Sequence, residues 1–134
     1  MQTKAILSQA DATRVLDAAQ QEADRQGWNV TVAIADDGGH LLALRRLDGA
    51  APFTAETAIH KAHNAAVGRR ETELFEDMIN NGRTAFVTAP LMGLLSGGVP
   101  IAVEGQVIGA VGVSGVKPDQ DVLIAKAGIR TLES

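Results

Sequence analysis

Residues 29–47 read NVTVAIADDGGHLLALRRL, and this run specifies the kind of sheet that the protein forms. Its first half alternates, with Val30, Val32 and Ile34 on one face, and a period of two is typical of a β-strand with one buried side. Two aspartates and two glycines follow, and glycine accepts the positive φ that tight hairpin turns require. Residues 40–47 then form the return strand. The run predicts an antiparallel hairpin, so the sheet cannot be wholly parallel.

Signals for further elements lie on both sides of this hairpin. Ser8 resembles the N-cap of a helix that Gly27 ends, and the pair Glu104-Gly105 marks the turn of a second hairpin. The predicted order is a helix over residues 9–26, the first hairpin, a helix from about Thr54, a helix over residues 71–80, strands ending at Val103 and Val113, and a final helix from Pro118. This order predicts an α+β fold in which helices cover the faces of one antiparallel sheet.

The composition narrows the class of protein. A chain of 134 residues, 46% of them apolar, is predicted to form a single domain, residues 1–134, around a hydrophobic core. The net charge of −4 and the 3% of aromatic residues argue against nucleic acid as a partner. The absence of cysteine excludes thiolate nucleophiles and zinc–thiolate sites. Neither an apolar leader nor a run of membrane-spanning length is present, so a cytoplasmic protein without a membrane partner is expected.

Residues 97–100, Gly-Gly-Val-Pro, are the most suggestive segment for ligand binding. Glycines without side chains let backbone N–H groups face a carboxylate or an oxyanion. A tight turn that merely needs positive φ is the structural alternative. Lys61 and Arg45 are candidate carboxylate partners, because Arg can grip a carboxylate with two hydrogen bonds and Lys supplies a movable charge. Each could equally be a solvated surface cation.

A second group of candidates lies on and after the second predicted helix. Arg70 and Thr72 stand at the start of a helix, where they would bind an anion or take part in surface ion pairs. Glu56, His60 and His63 fall on one helical face. Such a set would suit a divalent metal, and His60 alone would suit an axial ligand of haem. The spacing is not the His-Glu-x-x-His zinc pattern, so a structural role stays open.

Several of these segments resemble the signature of the GlcG/HbpS family. They are VAIADDGGHLLALRRLD (residues 32–48), GGVPI (residues 97–101) and GAVGVSG (residues 109–115), in the order that the family has them. Asp121, after the last segment, also belongs to the match. Lys61-Ala62 and residues 68–72 add to the match, which spans nearly the whole chain. One departure is His63-Asn64, where the family pattern usually reads Arg-Thr. Any ligand contact made by the family at these two positions is therefore in question here.

The resemblance implies a profilin-like fold, with a five-stranded antiparallel sheet flanked by helices, and a homo-oligomer. It also implies that Gly97, Gly98 and Val99 form a pocket wall and that Lys61, within a family motif, is a stronger ligand candidate than Arg45. Family members include haem-binding proteins, and a few relatives are cofactor-free lyases acting on hydroxylamino-aromatic acids. The family therefore fixes the fold better than the chemistry.

Three functions stay open from the sequence, and a binding protein is favoured over an enzyme. In the first, the pocket holds haem. In the second, it holds a small hydroxy or keto acid such as glycolate or glyoxylate, which a family link to glycolate utilisation suggests. The third is a cofactor-independent lyase or isomerase acting on a small carboxylic acid, with His60 or Glu56 as its base.

Overall fold

The computed structural model of the protein describes residues 1–133. In chain order the elements are α1 (Gln9–Gln26), β1 (Thr31–Asp36), β2 (Leu41–Arg46), α2 (Phe53–Gly68), α3 (Glu73–Asn80), a 3-10 turn (Thr84–Thr88), β3 (Gly98–Val103), β4 (Gln106–Ser114) and α4 (Pro118–Arg130). The strands form one antiparallel sheet in the order β2-β1-β4-β3. The predicted α+β class, with helices flanking an antiparallel sheet, is confirmed.

The sheet of residues 1–133 has four strands, so the expectation of five was wrong. The resemblance implied the fifth strand, whereas the alternating patterns in the sequence number only four. The remaining connection, between α3 and β3, does not extend into a strand. Residues 84–88 coil into the 3-10 turn, and Pro90 and Gly93 interrupt the residues after that turn. Proline cannot donate to a strand ladder and an interior glycine weakens one, so this connection stays irregular.

The bounds of α1 follow from its capping residues. Ser8 accepts from the Asp11 amide, the Asp11 side chain accepts from the Ser8 amide, and Gly27 ends the helix with a left-handed φ of 75°. These contacts satisfy backbone groups that a helix end leaves unpaired. None of the helices in residues 1–133 has both the length and the apolar character needed to cross a bilayer.

The two faces of the sheet are packed differently. We call one the aliphatic face; it buries Val32, Ile34, Val111 and Val113 against α1 and α4. We call the other the small-residue face; it consists of Ala33, Ala35, Ala110 and Gly112, and α2 lies on it. A Cβ added at Gly112 would lie 2.1 Å from the Ala58 carbonyl oxygen. The backbone of α2 therefore rests directly on the sheet, and this brings the side chains of α2 close to the ends of the strands.

Candidate functional site

A cavity of about 320 Å³ opens where the first turns of α2 and α4 meet the end of β4. We call it the Lys61 cavity. Its buried lining is polar and includes Lys61, Ser96, Ser114 and Asp121. Phe53, in its lining, is 68% exposed, and other apolar lining residues are Leu95, Val116 and Pro118. The volume is at the small end of the range for ligand pockets, which suits a small molecule with a polar group and a short apolar part.

Lys61 and Asp121 form a buried ion pair in this lining. Lys61 is 4% exposed and Asp121 is 3% exposed. The Lys61 Nζ donates to the Val113 carbonyl oxygen at 2.8 Å and to Asp121 Oδ2 at 3.2 Å. The other carboxylate oxygen, Oδ1, accepts from the Val116 amide at 3.2 Å. Because an ammonium group carries three N–H donors, one is left for a molecule in the cavity.

The carboxyl group of Asp121 has a pKa well above that of an ordinary aspartate. Burial raises the pKa of Asp121 to about 6, while the Lys61 ammonium and the Val116 amide oppose a larger rise. Burial has this sign because it penalises the charged form of a carboxyl group. Asp121 is therefore able to gain or lose a proton close to neutral pH, which is the range in which general acids and bases of enzymes operate.

Gly97 and Gly98 lie beside Lys61, and their missing side chains make room for it. A Cβ on Gly97 would lie 2.8 Å from Lys61 Nζ, and one on Gly98 would lie 2.3 Å from the Lys61 carbonyl oxygen. The Gly98 amide donates to Thr72 Oγ1 at 2.8 Å and its carbonyl accepts from the Thr72 amide. Since this N–H is occupied, Gly98 shapes the site by allowing close approach and does not offer its amide to an anion.

The structure does not bring the other candidates to the cavity. Arg45 donates to Asp17 at 2.8 Å and to Gln20 at 2.9 Å, so it is held against α1 on the far side of the sheet. The Val99 side chain belongs to the core under the aliphatic face. Arg70 is exposed and lies over the Phe75 ring, 5.5 Å from its centroid. Thr72 is fully buried, and its hydroxyl oxygen accepts a hydrogen bond from the Gly98 amide.

The histidine cluster predicted on α2 is not a metal site. Within residues 1–133, no group of three His, Asp or Glu side chains could hold a metal ion. His63 directs Nδ1 to the Gly39 carbonyl oxygen at 3.0 Å, and half-buried His60 packs against Gly93. Neither lines the Lys61 cavity, nor does Glu56. The residues of that cavity therefore do not fit a haem group that needs a histidine axial ligand from the same chain.

Asp121 is the functional candidate that sequence reasoning missed. An acidic residue in the first turn of a helix is typical of the positive end of the helix dipole, so the place of Asp121 in the sequence does not by itself indicate a site. The only signal was its position within a family motif. The serines of the cavity had no signal of their own, because Ser96 lies in an irregular segment and Ser114 ends a strand.

The comparison of sequences with known proteins identifies the family. Residues 7–130 match the family described as haem degrading protein HbpS-like. The chain belongs to this family. It is 60% identical to Protein GlcG of Escherichia coli strain K12 over 114 residues, which are 85% of each chain. It is also 29% identical to an uncharacterised 15.0 kDa protein of Citrobacter freundii over 129 residues, 93% of this chain and 91% of the other.

Solved structures of similar proteins have the same fold. Klebsiella pneumoniae protein ORFY superposes with a TM-score of 0.92 at 26% identity, over 100% of this chain and 95% of that chain. HbpS gives a TM-score of 0.88 at 29% identity, over 98% and 94% of the two chains. A complex of PduOC with haem gives 0.86 at 27% identity, over 95% of each. At least one solved relative therefore holds a ligand on this fold.

Proposed function

We propose that the protein binds a small carboxylic acid of the hydroxy or keto type, such as glycolate or glyoxylate, in the Lys61 cavity. One observation carries the proposal: a buried ammonium group lines a cavity with one of its three N–H donors unused by any of residues 1–133. A charge-assisted hydrogen bond to a carboxylate is the strongest contact that such a donor can make. Little water competes for it, because Lys61 is nearly inaccessible to solvent.

The rest of the lining suits the remainder of such a ligand. Ser96 and Ser114 are buried hydroxyl-bearing residues, and a hydroxyl group both donates and accepts. They are therefore able to meet the hydroxyl or carbonyl oxygen beside the ligand's carboxylate. Phe53 and Leu95 supply apolar surface at the exposed part of the cavity, which limits the entry of water around the bound acid.

Haem is the second candidate ligand. The similar proteins support haem binding more strongly than the residues that line the Lys61 cavity do. The family is described as haem degrading, and the PduOC relative was solved with haem. In this chain no histidine lines the Lys61 cavity, and Arg45 is too distant to serve a propionate there. Haem bound by this protein would therefore need a surface other than this cavity, for example one completed by a second copy of the chain.

A cofactor-independent lyase or isomerase is the enzymatic alternative, and Asp121 is the observation that favours it. A carboxyl group whose pKa is raised to about 6 beside a ligand cavity is suited to take a proton from a bound acid. The base would then be Asp121 rather than His60 or Glu56. Consumption of glycolate or glyoxylate, followed by proton NMR, would establish an enzyme, and a binding protein leaves both unchanged.

Calorimetry with glycolate and glyoxylate tests the proposal, alongside an absorbance titration with haem. We expect saturable binding of at least one acid, lost in Lys61→Met. Lys126→Met is the matched control, because Lys126 is an exposed lysine paired with Glu71 on the surface. No heat at millimolar concentrations of either acid would overturn the proposal, and a Soret shift at micromolar haem would then favour the second candidate.

We further propose that copies of the chain associate as a homo-oligomer in the cytoplasm. The small residues Ala58, Ala62 and Ala65 of α2 do not provide this contact, because they pack inside the chain and are fully buried. The support comes from large apolar side chains left exposed on α3 and the segment after it, namely Leu74, Val87 and Met92. Light scattering tests the proposal, and a monomer at micromolar concentration would disprove it.

A further inference from the structure

A ligand carboxylate bound to Lys61 would lie next to a second carboxylate. Both Asp121 and the ligand would accept from the same ammonium group, each at ordinary hydrogen-bond distance from Nζ. The Lys61 side chain is already neutralised by Asp121 before the ligand arrives. An anionic ligand therefore brings into a buried place a negative charge that no cation balances, and carboxylates held this close do not both remain ionised.

The surroundings of Asp121 offer no other compensation. Lys61, on α2, is the single cation lining the cavity in the part of the chain that the structure describes. Glu76, on α3, also lines it, and Asp119, on α4 itself, adds repulsion. The remaining contact with Asp121 is the neutral Val116 amide on Oδ1. Lys61 and the Val116 amide already bind the charge of Asp121, and Glu76 and Asp119 repel any further negative charge. A proton from solvent is therefore the available source of positive charge.

We propose that Asp121 takes up one proton from solvent when the carboxylate of a ligand binds to Lys61, so that the site binds a monocarboxylate together with a proton. The inference rests on the proposed function. Oδ1 keeps its bond from the Val116 amide, and Oδ2, on the side of Lys61, receives the proton. The new O–H then donates to the ligand's carboxylate. A dicarboxylate would bring a second charge that this single proton does not balance, and we expect the site to reject it.

Calorimetry of glyoxylate and glycolate at pH 7.5 measures the proton directly. The heat of binding is compared in phosphate, HEPES and Tris, whose ionisation enthalpies differ, and the slope gives the number of protons taken up. We expect more than half a proton per site in the wild-type protein and none in Asp121→Asn. Asp119→Asn, which removes an exposed aspartate two residues earlier on the same helix, is the control that keeps the uptake. Oxalate is expected to bind at least tenfold more weakly than glyoxylate.

The wild-type protein alone also tests the inference, should Asp121→Asn fail to fold. Uptake of one proton requires the Kd to rise by up to tenfold per pH unit between pH 7 and 8.5. Clear binding with a Kd that stays constant over this range, or with a buffer slope of zero, would overturn proton uptake and leave the binding site intact. Absence of binding for both acids would instead remove the proposed function, and this inference with it.

Discussion

The two faces of the sheet in this protein differ in what they bury. The aliphatic face packs Val32, Ile34 and their neighbours against α1 and α4, and its core is mainly apolar, with Glu22 of α1 and Asp121 of α4 as the buried charged residues of these helices. The small-residue face packs alanine and glycine against α2, and this helix also buries a lysine, an asparagine and a threonine. The first arrangement is what stability alone requires. The small-residue face includes buried polar groups, which cost free energy unless they have hydrogen-bond partners. Such groups are more often found where a protein binds a ligand or fixes a geometry.

The contrast indicates where function lies in this fold. Alanine and glycine on the sheet contribute little hydrophobic surface, but they let the α2 backbone lie against the strands. Lys61 is thereby carried to the ends of β3 and β4, where it reaches Val113 and Asp121. Substitutions at four positions, Gly112, Lys61, Asp121 and Ile124, test this division between the two faces.

Gly112→Val should prevent folding. Even its Cβ would lie 2.1 Å from the Ala58 carbonyl oxygen and 2.4 Å from the Ala62 amide nitrogen, and both are backbone atoms that cannot rotate away. Circular dichroism and size-exclusion chromatography should show no native protein. Gly38→Ala is the control, since a Cβ there meets mainly the mobile side chain of His40 at 3.0 Å. A Gly112→Val protein that melts within a few degrees of wild type would show that α2 does not depend on this contact.

Lys61→Met should lower the free energy of unfolding by about 3–5 kcal/mol at pH 8, because it leaves Asp121 buried without its cation. Urea denaturation measures the loss. The double variant Lys61→Met/Asp121→Asn should recover most of it, since an asparagine still accepts from the Val116 amide and carries no charge. Both variants should lose ligand binding. If the double variant is as unstable as the single one, the loss comes from packing rather than from an unpaired charge.

The stability that depends on Asp121 should fall as the pH rises from about 4 to about 6. Burial raises the pKa of Asp121 to about 6, so in this window the folded protein holds a proton that the unfolded chain has released. The wild-type protein should lose on the order of 1–3 kcal/mol relative to Asp121→Asn across the window, with no further change above pH 7. Urea denaturation at several pH values measures the difference, and a wild-type protein that gains stability relative to Asp121→Asn as the pH rises through this window would contradict the assignment.

The comparison with Asp121→Asn is needed because other carboxyl groups titrate in the opposite sense. Hydrogen bonds from Ser8 hold the pKa of Asp11 below its usual value, and bonds from Gln26 and Arg25 do the same for Glu22. Stability from these groups is present at neutral pH and is lost on acidification. They are the same in both proteins, so the difference between the two curves isolates Asp121.

Ile124→Val should have the smallest effect, about 0.5–1.5 kcal/mol, because it removes one methylene from a fully buried position under the aliphatic face. The Kd for glyoxylate should not change, although Ile124 lies only three residues beyond Asp121 on α4. Calorimetry and urea denaturation on the same preparation measure both quantities. A change in affinity of threefold or more would show that the aliphatic face and the cavity are coupled.

Much of the fold could be predicted from local sequence. The bounds of α1 at Gln9 and Gln26 agree with the prediction because capping groups bond within a few residues. The two hairpins follow from alternation and from turns that contain glycine. The predicted number of strands was wrong because it came from the family resemblance and not from the local sequence pattern. The start of α2 at Phe53 lies one residue before the predicted Thr54, and Thr54 bonds Thr31 and the Ala51 carbonyl from inside the helix.

The site could be predicted only in part. Lys61, Gly97 and Gly98 were singled out and they lie together, but the Gly98 amide is bonded to Thr72, so this glycine acts by leaving space and not by offering a free amide. Arg45 was also a candidate partner for a carboxylate, ranked below Lys61 only by the family resemblance, and its ion pair with Asp17, 28 residues away in the chain, removes it. Nothing in local sequence distinguishes these two cations, since each is a basic residue on a regular element.

Local sequence was enough to set the elements, their order and the small side chains of one sheet face, because these depend on neighbouring residues and on periodicity. Which ionisable groups meet depended on the three-dimensional packing. Lys61 and Asp121 are 60 residues apart in the chain, and they form a buried pair because α2 and α4, on opposite faces, converge at the same end of the sheet. Burial and charge at such a point follow from packing between distant segments, and no local pattern encodes them.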